Sequence, residues 1–168
     1  MSQVKITADM ESRVAALLGR APRGLQEISV LDPQGNPVVI RVASLVDGKP
    51  FPTLFWLIDK QLCYQIDREE AGGLIQQLQA RVDAEPKLQQ SMAEDHAAHV
   101  CLRNSHISDT LKAELERLNF YQVLQTRGIG GIEDSARIRC LHTWYASHLV
   151  VGNTIGALLD EHWNTVQS

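Results

Sequence analysis

Residues 26–44 read QEISVLDPQGNPVVIRVAS, and the reading of this stretch decides the fold. Two runs, 26–32 and 37–44, are rich in Val and Ile, and Pro33, Gln34, Gly35 and Asn36 between them supply turn chemistry. The pattern predicts a β-hairpin. Downstream, residues 53–58 (TLFWLI) form a continuous apolar run of strand length with sheet-favouring aromatic residues. A third strand, buried on both faces, is expected there. The intervening Asp47, Gly48, Lys49, Pro50, Phe51 and Pro52 are expected to prevent regular structure. Upstream, Met10, Val14, Leu17 and Leu18 recur at helical spacing within 9–20, and Pro22 with Gly24 close that short amphipathic helix.

Beyond Asp59 the period becomes helical. Asp67 or a neighbour is placed to cap a helix through about Ala84, with Leu74, Leu78 and Val82 on its buried side. Pro86 suits the first turn of a helix to about Asn104, and Ser108 or Asp109 caps another. Asp134 or Ser135 is expected to open a helix to about Val151, and Asn153 to cap a last one ending near Trp163. A small sheet followed by helices predicts an α+β fold: about three antiparallel strands near the N-terminus, packed against a mostly helical C-terminal two-thirds. With 168 residues, 44% of them hydrophobic, a single domain over 1–168 is expected, its core spanning about 9–163.

The net charge of -4, with scattered basic residues, argues against nucleic acid or an anionic membrane surface as the main partner. Residues 140–159 contain no Asp, Glu, Lys or Arg and are long enough to cross a bilayer. Their polar members, among them His142, Ser147, His148 and Asn153, would be costly in hydrocarbon, so the run is read as protein interior. The first residues lack the apolar run of a signal peptide, which gives a cytoplasmic location as the default. Cys63, Cys101 and Cys140 are widely spaced without a CxxC pair, and free thiols are expected.

On a helix over 134–151, at about 100° per residue, Arg137, Cys140, Leu141, Trp144 and His148 share one stripe. Ile138, His142, Tyr145 and Leu149 make a second stripe beside it. Such a helix puts a guanidinium, a thiol and an imidazole near the interior, where Arg137 should meet a carboxylate or a bound anion. Two readings follow: a structural network with His148 as a satisfied core histidine, or one wall of a pocket. The preceding loop, Arg127 to Ile132, is glycine-rich, and a glycine turn feeding a helix N-terminus presents amides to an anion. Its spacing matches neither the Walker nor the Rossmann pattern, so a flexible connector fits equally. A third constellation is Glu94, Asp95, His96, His99, Arg103 and His106; an Asp–His pair four residues apart suits half a metal site or a general base. The expected reading of this face is solvated or salt-bridged. The patterns HExxH and GxSxG, an EF-hand loop and a kinase signature are absent.

Pro22-Arg23-Gly24, Asp47-Gly48-Lys49-Pro50-Phe51-Pro52-Thr53, Gly130-Gly131, Arg137-Ile138-Arg139-Cys140-Leu141-His142 and Ala146-Ser147-His148 together resemble the bacterial family called domain of unknown function 501. The resemblance runs from about Arg13 to Leu159 and implies a shared fold and a bacterial protein, but no reaction. Actinobacterial members carry a CPCG turn in the first hairpin and a further cysteine after the third strand, besides the cysteine of the CLH motif. That set looks like a metal or iron–sulfur site. The matching positions here are Asp32, Gln34 and Asp59, with only Cys140 retained, so a four-thiolate site cannot form. The resemblance implies either loss of the metal, the favoured outcome, or an oxygen-rich set of Asp32, Asp59 and a histidine. It also implies that Asp32, Asp59 and Cys140 lie close together.

The leading functional expectation is a small binding or accessory protein. Its pocket would be built from Arg23, Phe51, Thr53, Gly130, Gly131, Arg137 and Arg139 and would receive an anionic small molecule, with no cofactor. An enzyme, hydrolase or transferase, would use Cys140 as nucleophile or His142 and His148 as acid and base. A protein–protein adaptor without a ligand is the third reading.

Overall fold

The computed structural model describes residues 5–167. The hairpin forms where its sequence places it: β1 (Leu25–Leu31) and β2 (Pro37–Val42) pair antiparallel, with Ile28 opposite Ile40. Asp32 closes the turn, its carboxylate accepting from the Gln34 amide at 2.9 Å, the Asn36 amide at 2.8 Å and the Asn36 side chain at 2.9 Å. This is the local bonding that makes Asp a turn residue. Next, β3 (Leu45–Val46) and β4 (Lys49–Pro50) form a separate two-stranded ladder around Asp47 and Gly48. Regular structure therefore enters a segment expected to lack it, because both turn residues adopt positive φ.

The third strand, β5 (Phe55–Leu57), joins the other side of β2, giving the antiparallel order β1-β2-β5. It is an edge strand and shorter than the 53–58 run. Phe55 is buried, whereas Trp56 and Leu57 are half-buried, so the expectation of burial on both faces fails. The strand that is enclosed is β2, with all six residues buried. Val38 and Val39 pack in one cluster with Phe55 and Ala146 of α7 (Leu141–Val151), and Ile40 and Val42 in another with Val14 of α1 (Ala8–Leu18). Each such aliphatic side chain contributes about 1.5–3 kcal/mol on burial.

The remaining helices are α2 (Lys60–Ala71), α3 (Leu74–Ala84), α4 (Pro86–Ser105), α5 (Asp109–Arg117), α6 (Tyr121–Thr126) and α8 (Thr154–Val166). They enclose a second core in which Ile66, Leu78, Val82, Met92 and Ile155 surround the buried Trp144. The single helix expected through Ala84 is two. Asp59, not Asp67, is the N-cap, accepting from the Leu62 amide at 2.7 Å, and Gly72 with Gly73 separates the pair. Pro86, Ser108 and Asn153 open α4, α5 and α8 as their chemistry dictates. The architecture is α+β, with its sheet near the N-terminus. No helix among the described residues is long and apolar enough to cross a membrane. The uncharged run 140–159 turns at Gly152 and Asn153 between α7 and α8.

The largest departure lies at 134–151, where helix begins only at Leu141. Residues 137–140 have no regular structure, and side chains from elsewhere bond the backbone of Ala136 and Ile138. Gln79 of α3 donates to the Ala136 carbonyl at 2.8 Å and accepts from the Ile138 amide at 3.1 Å. Trp144 Nε1 donates to the Ile138 carbonyl at 2.9 Å. Arg139 sits at φ 63°, outside helical geometry. The stripe drawn through Arg137, Cys140, Trp144 and His148 therefore does not exist as a helix face. Arg137 and Arg139 are exposed, and the Arg137 guanidinium is 3.9 Å from Asp134 rather than buried on a carboxylate.

Candidate functional site

A cavity of about 230 Å³ opens between α1, its following loop and the sheet. The loop can press on β2 and β3 because Gly24, at φ 74°, has no side chain: a Cβ there would lie 2.5 Å from Val46 Cγ2 and 3.3 Å from Val42 Cγ1. The Gly24 carbonyl accepts from the Ala43 amide at 2.8 Å, fixing that approach. Ile40, Val42, Phe51 and Trp56 make an apolar floor, the two rings 6.3 Å apart and tilted by 38°. Arg20, Arg23 and Lys49 stand on the rim. Arg20 lies 5.6 Å above the Trp56 ring, a cation–π placement, and Arg23 reaches Asp47 at 3.1 Å with both side chains largely exposed. One acid thus opposes three cations.

A second cluster forms where α2 meets the start of α7. His142 Nδ1 lies 3.0 Å from Glu70 Oε1 and 3.7 Å from Cys140 Sγ, while Nε2 is 2.9 Å from Asp67 Oδ1. The Leu141 amide donates to the same Glu70 oxygen at 3.0 Å, anchoring that carboxylate. The hydrogen bond with Cys140, then the charges of Cys140, Glu70 and Asp67, raise His142 to about 9 against the opposing effect of burial. Burial pushes the Cys140 thiol up, but the hydrogen bonds from the His142 ring and from the Thr143 and His142 backbone together outweigh it and leave the thiol below its ordinary value. All three cysteines are free; burial pushes Cys63 up to about 11, whereas Cys101 is exposed.

The other expected residues have different tasks. His148 Nδ1 accepts from the Asn153 amide at 3.0 Å, so its proton resides on Nε2, which meets Asp160 at 2.7 Å. Tyr145 donates to the same carboxylate at 2.7 Å, and the group clamps α7 to α8. The glycine loop commits these amides: within the loop Gly128 donates to Ile132, Gly131 to Gly128 and Ile132 to Ile129, and Ile129 donates to His96 of α4. Gly130 takes φ 64° directly against Thr143, where a Cβ would come within 2.5 Å of Oγ1. Gly131 lies against Pro52. The loop thus docks on α7 and the Phe51–Pro52–Thr53 segment but does not feed a helix N-terminus. Thr53 contributes its carbonyl to Trp56 Nε1 at 3.3 Å. Arg23 and Phe51 share the cavity; Arg137, Arg139, Gly130 and Gly131 do not line it.

The histidine face of α4 is buried, not solvated. His96 and His99 are 7% and 4% exposed, and Arg103 is 0% exposed. Among the described residues no carboxylate pairs with Arg103; its guanidinium donates to the carbonyls of Pro52 at 2.8 Å, Arg127 at 2.5 Å and Leu124. Burial lowers it to about 10. Burial, then the Arg103 charge, lowers His99 to about 3, and its ring packs edge-on to Phe55 at 6.3 Å. His96 stacks edge-on to Trp144 at 4.9 Å. His106 is exposed.

Asp32 and Asp59 are committed to a turn and a helix cap. Neither joins Cys140 in the compact ligand group found among the described residues, which is Glu70, Cys140 and His142. The residues missed from sequence are Arg20, Lys49 and Trp56 at the cavity, and Asp67 and Glu70 beside Cys140. Asp67 and Glu70 are three apart on one helix, a spacing that co-presents their side chains, but only the fold brings α7 to them.

A family model described as Protein of unknown function (DUF501) matches residues 28–161. No curated protein and no solved structure matches the chain. The matched region begins inside β1 and contains Glu70, Cys140 and His142, while Arg20 and Arg23 precede it.

Proposed function

We propose, for a chain that belongs to the DUF501 family of proteins of unknown function, that it is a binding protein whose α1–sheet cavity takes a small anionic molecule with a flat apolar body. The observation that carries this reading is the joining of an apolar, two-ring floor to a rim of Arg20, Arg23 and Lys49. Such a site rewards a ligand that lays a ring or short chain on the Phe51 and Trp56 floor and leaves a carboxylate or phosphate among the cations. The volume, about 230 Å³, is below the range of roughly 300–1,000 Å³ common for drug-sized ligands, which favours a small acid.

The test is a panel of aromatic carboxylates, aliphatic carboxylates and phosphate monoesters, followed by tryptophan fluorescence and thermal unfolding. Binding to the folded state raises the melting temperature by mass action. At least one class is expected to give a saturable response that disappears in Arg20→Ala and Trp56→Leu and persists in Arg137→Ala. A panel without any saturable response, or one whose response survives both cavity substitutions, overturns the reading.

A further inference from the structure

The corner of Glu70, Cys140 and His142 lies outside that cavity, and its chemistry differs. From its geometry we infer that it is a binding site for a divalent transition metal of the zinc class, with three protein ligands and an open fourth position. One thiolate sulfur, one imidazole nitrogen and one carboxylate oxygen lie within 4.8 Å of one another. Zinc bonds of about 2.0–2.3 Å in tetrahedral geometry separate such atoms by roughly 3.3–3.8 Å. The Cys140–His142 separation of 3.7 Å already has that value, and the 3.0 Å Glu70–His142 contact requires only a small outward rotation of the carboxylate.

The surroundings fit the same assignment. His142 turns Nδ1 to Cys140 and Glu70 and offers Nε2 to Asp67 at 2.9 Å, the carboxylate–histidine arrangement that orients a metal-ligating imidazole. The Leu141 amide fixes Glu70 in the same way. A thiolate beside a carboxylate is a poor arrangement for a nucleophile, since each anion opposes the other. It suits a dication, which two anionic ligands and one neutral imidazole neutralise. The mixed sulfur, nitrogen and oxygen set selects zinc, cobalt or iron(II) over calcium and magnesium, which prefer oxygen alone. The ion would staple α2 to the first turn of α7, using Cys140 without Asp32 or Asp59.

The experiment is titration of chelator-treated, full-length protein with cobalt(II), followed by zinc(II), read by absorption spectroscopy. Expected is one equivalent of cobalt with tetrahedral bands and a sulfur-to-cobalt charge-transfer band, displaced by zinc. Cys140→Ser abolishes the charge-transfer band and Glu70→Gln weakens binding. Asp67→Asn keeps the band and lowers affinity about 10- to 100-fold. Cys63→Ser and Cys101→Ser leave the spectrum unchanged, and circular dichroism verifies that each variant is folded. Absence of the charge-transfer band from wild type, or its persistence in Cys140→Ser, overturns the assignment.

Discussion

Two histidine clusters of this molecule meet opposite fates. On α4, His99 is held at about 3 by burial and the neighbouring Arg103 charge; at the start of α7, His142 is raised to about 9 beside Cys140, Glu70 and Asp67. The residue type is the same, and the partners decide. Around Arg103 the partners are carbonyl dipoles, which can hold one buried cation but not a second. Around His142 they are carboxylates at a half-exposed edge, where positive charge is welcome. The first cluster joins α4, the Pro52 segment and the end of α6, and is architectural. The second holds ligand-capable atoms that the fold does not need for its core.

Three measurements would break or sharpen this contrast. The largest effect is expected for Arg103→Met, which leaves the carbonyls of Pro52, Leu124 and Arg127 without their buried donor. Urea unfolding should show a loss of about 3–5 kcal/mol, and a loss below ~1 kcal/mol would mean that the guanidinium is not the joint we describe. Acid comes next. His99 in the unfolded chain takes up a proton as pH falls below about 6.5, whereas the folded chain resists until about 3. Stability is therefore full above 6.5 and declines across that window. His99→Phe should flatten the slope in a pH series of urea midpoints, and an unchanged slope would remove His99 from the account. The smallest effect is expected for Asp67→Asn in metal-free protein. With an Asp67 side chain 66% exposed, its loss should cost under about 1 kcal/mol, and a cost like that of Arg103 would erase the distinction between the regions.

Legibility from sequence follows the range of the interaction involved. The 26–44 hairpin, the Pro86 start of α4 and the Asn153 cap of α8 are written in neighbouring residues and appear as read. At the cavity, Arg23 and Phe51 were visible as part of a motif, but Arg20 and Trp56 join them only through the docking of α1 on the sheet. The helix expected over 134–151 fails because the side chain of Gln79, nearly sixty residues earlier, bonds the Ala136 carbonyl and the Ile138 amide and holds that backbone out of a helix. With that helix go the buried Arg137 and the anion-cradling glycine loop. In exchange, the shortened α7 starts with Cys140 and His142 against Glu70, a pairing invisible to any periodicity.

The amino-acid sequence by itself determined the α+β class, the first hairpin and the openings of α4, α5 and α8, since turn chemistry and apolar period act over a few residues. Tertiary structure alone decided which polar groups are buried, which carboxylates meet which imidazoles and where α7 begins. Those outcomes depend on side chains distant along the chain, and only the closed core sets their distances and local dielectric.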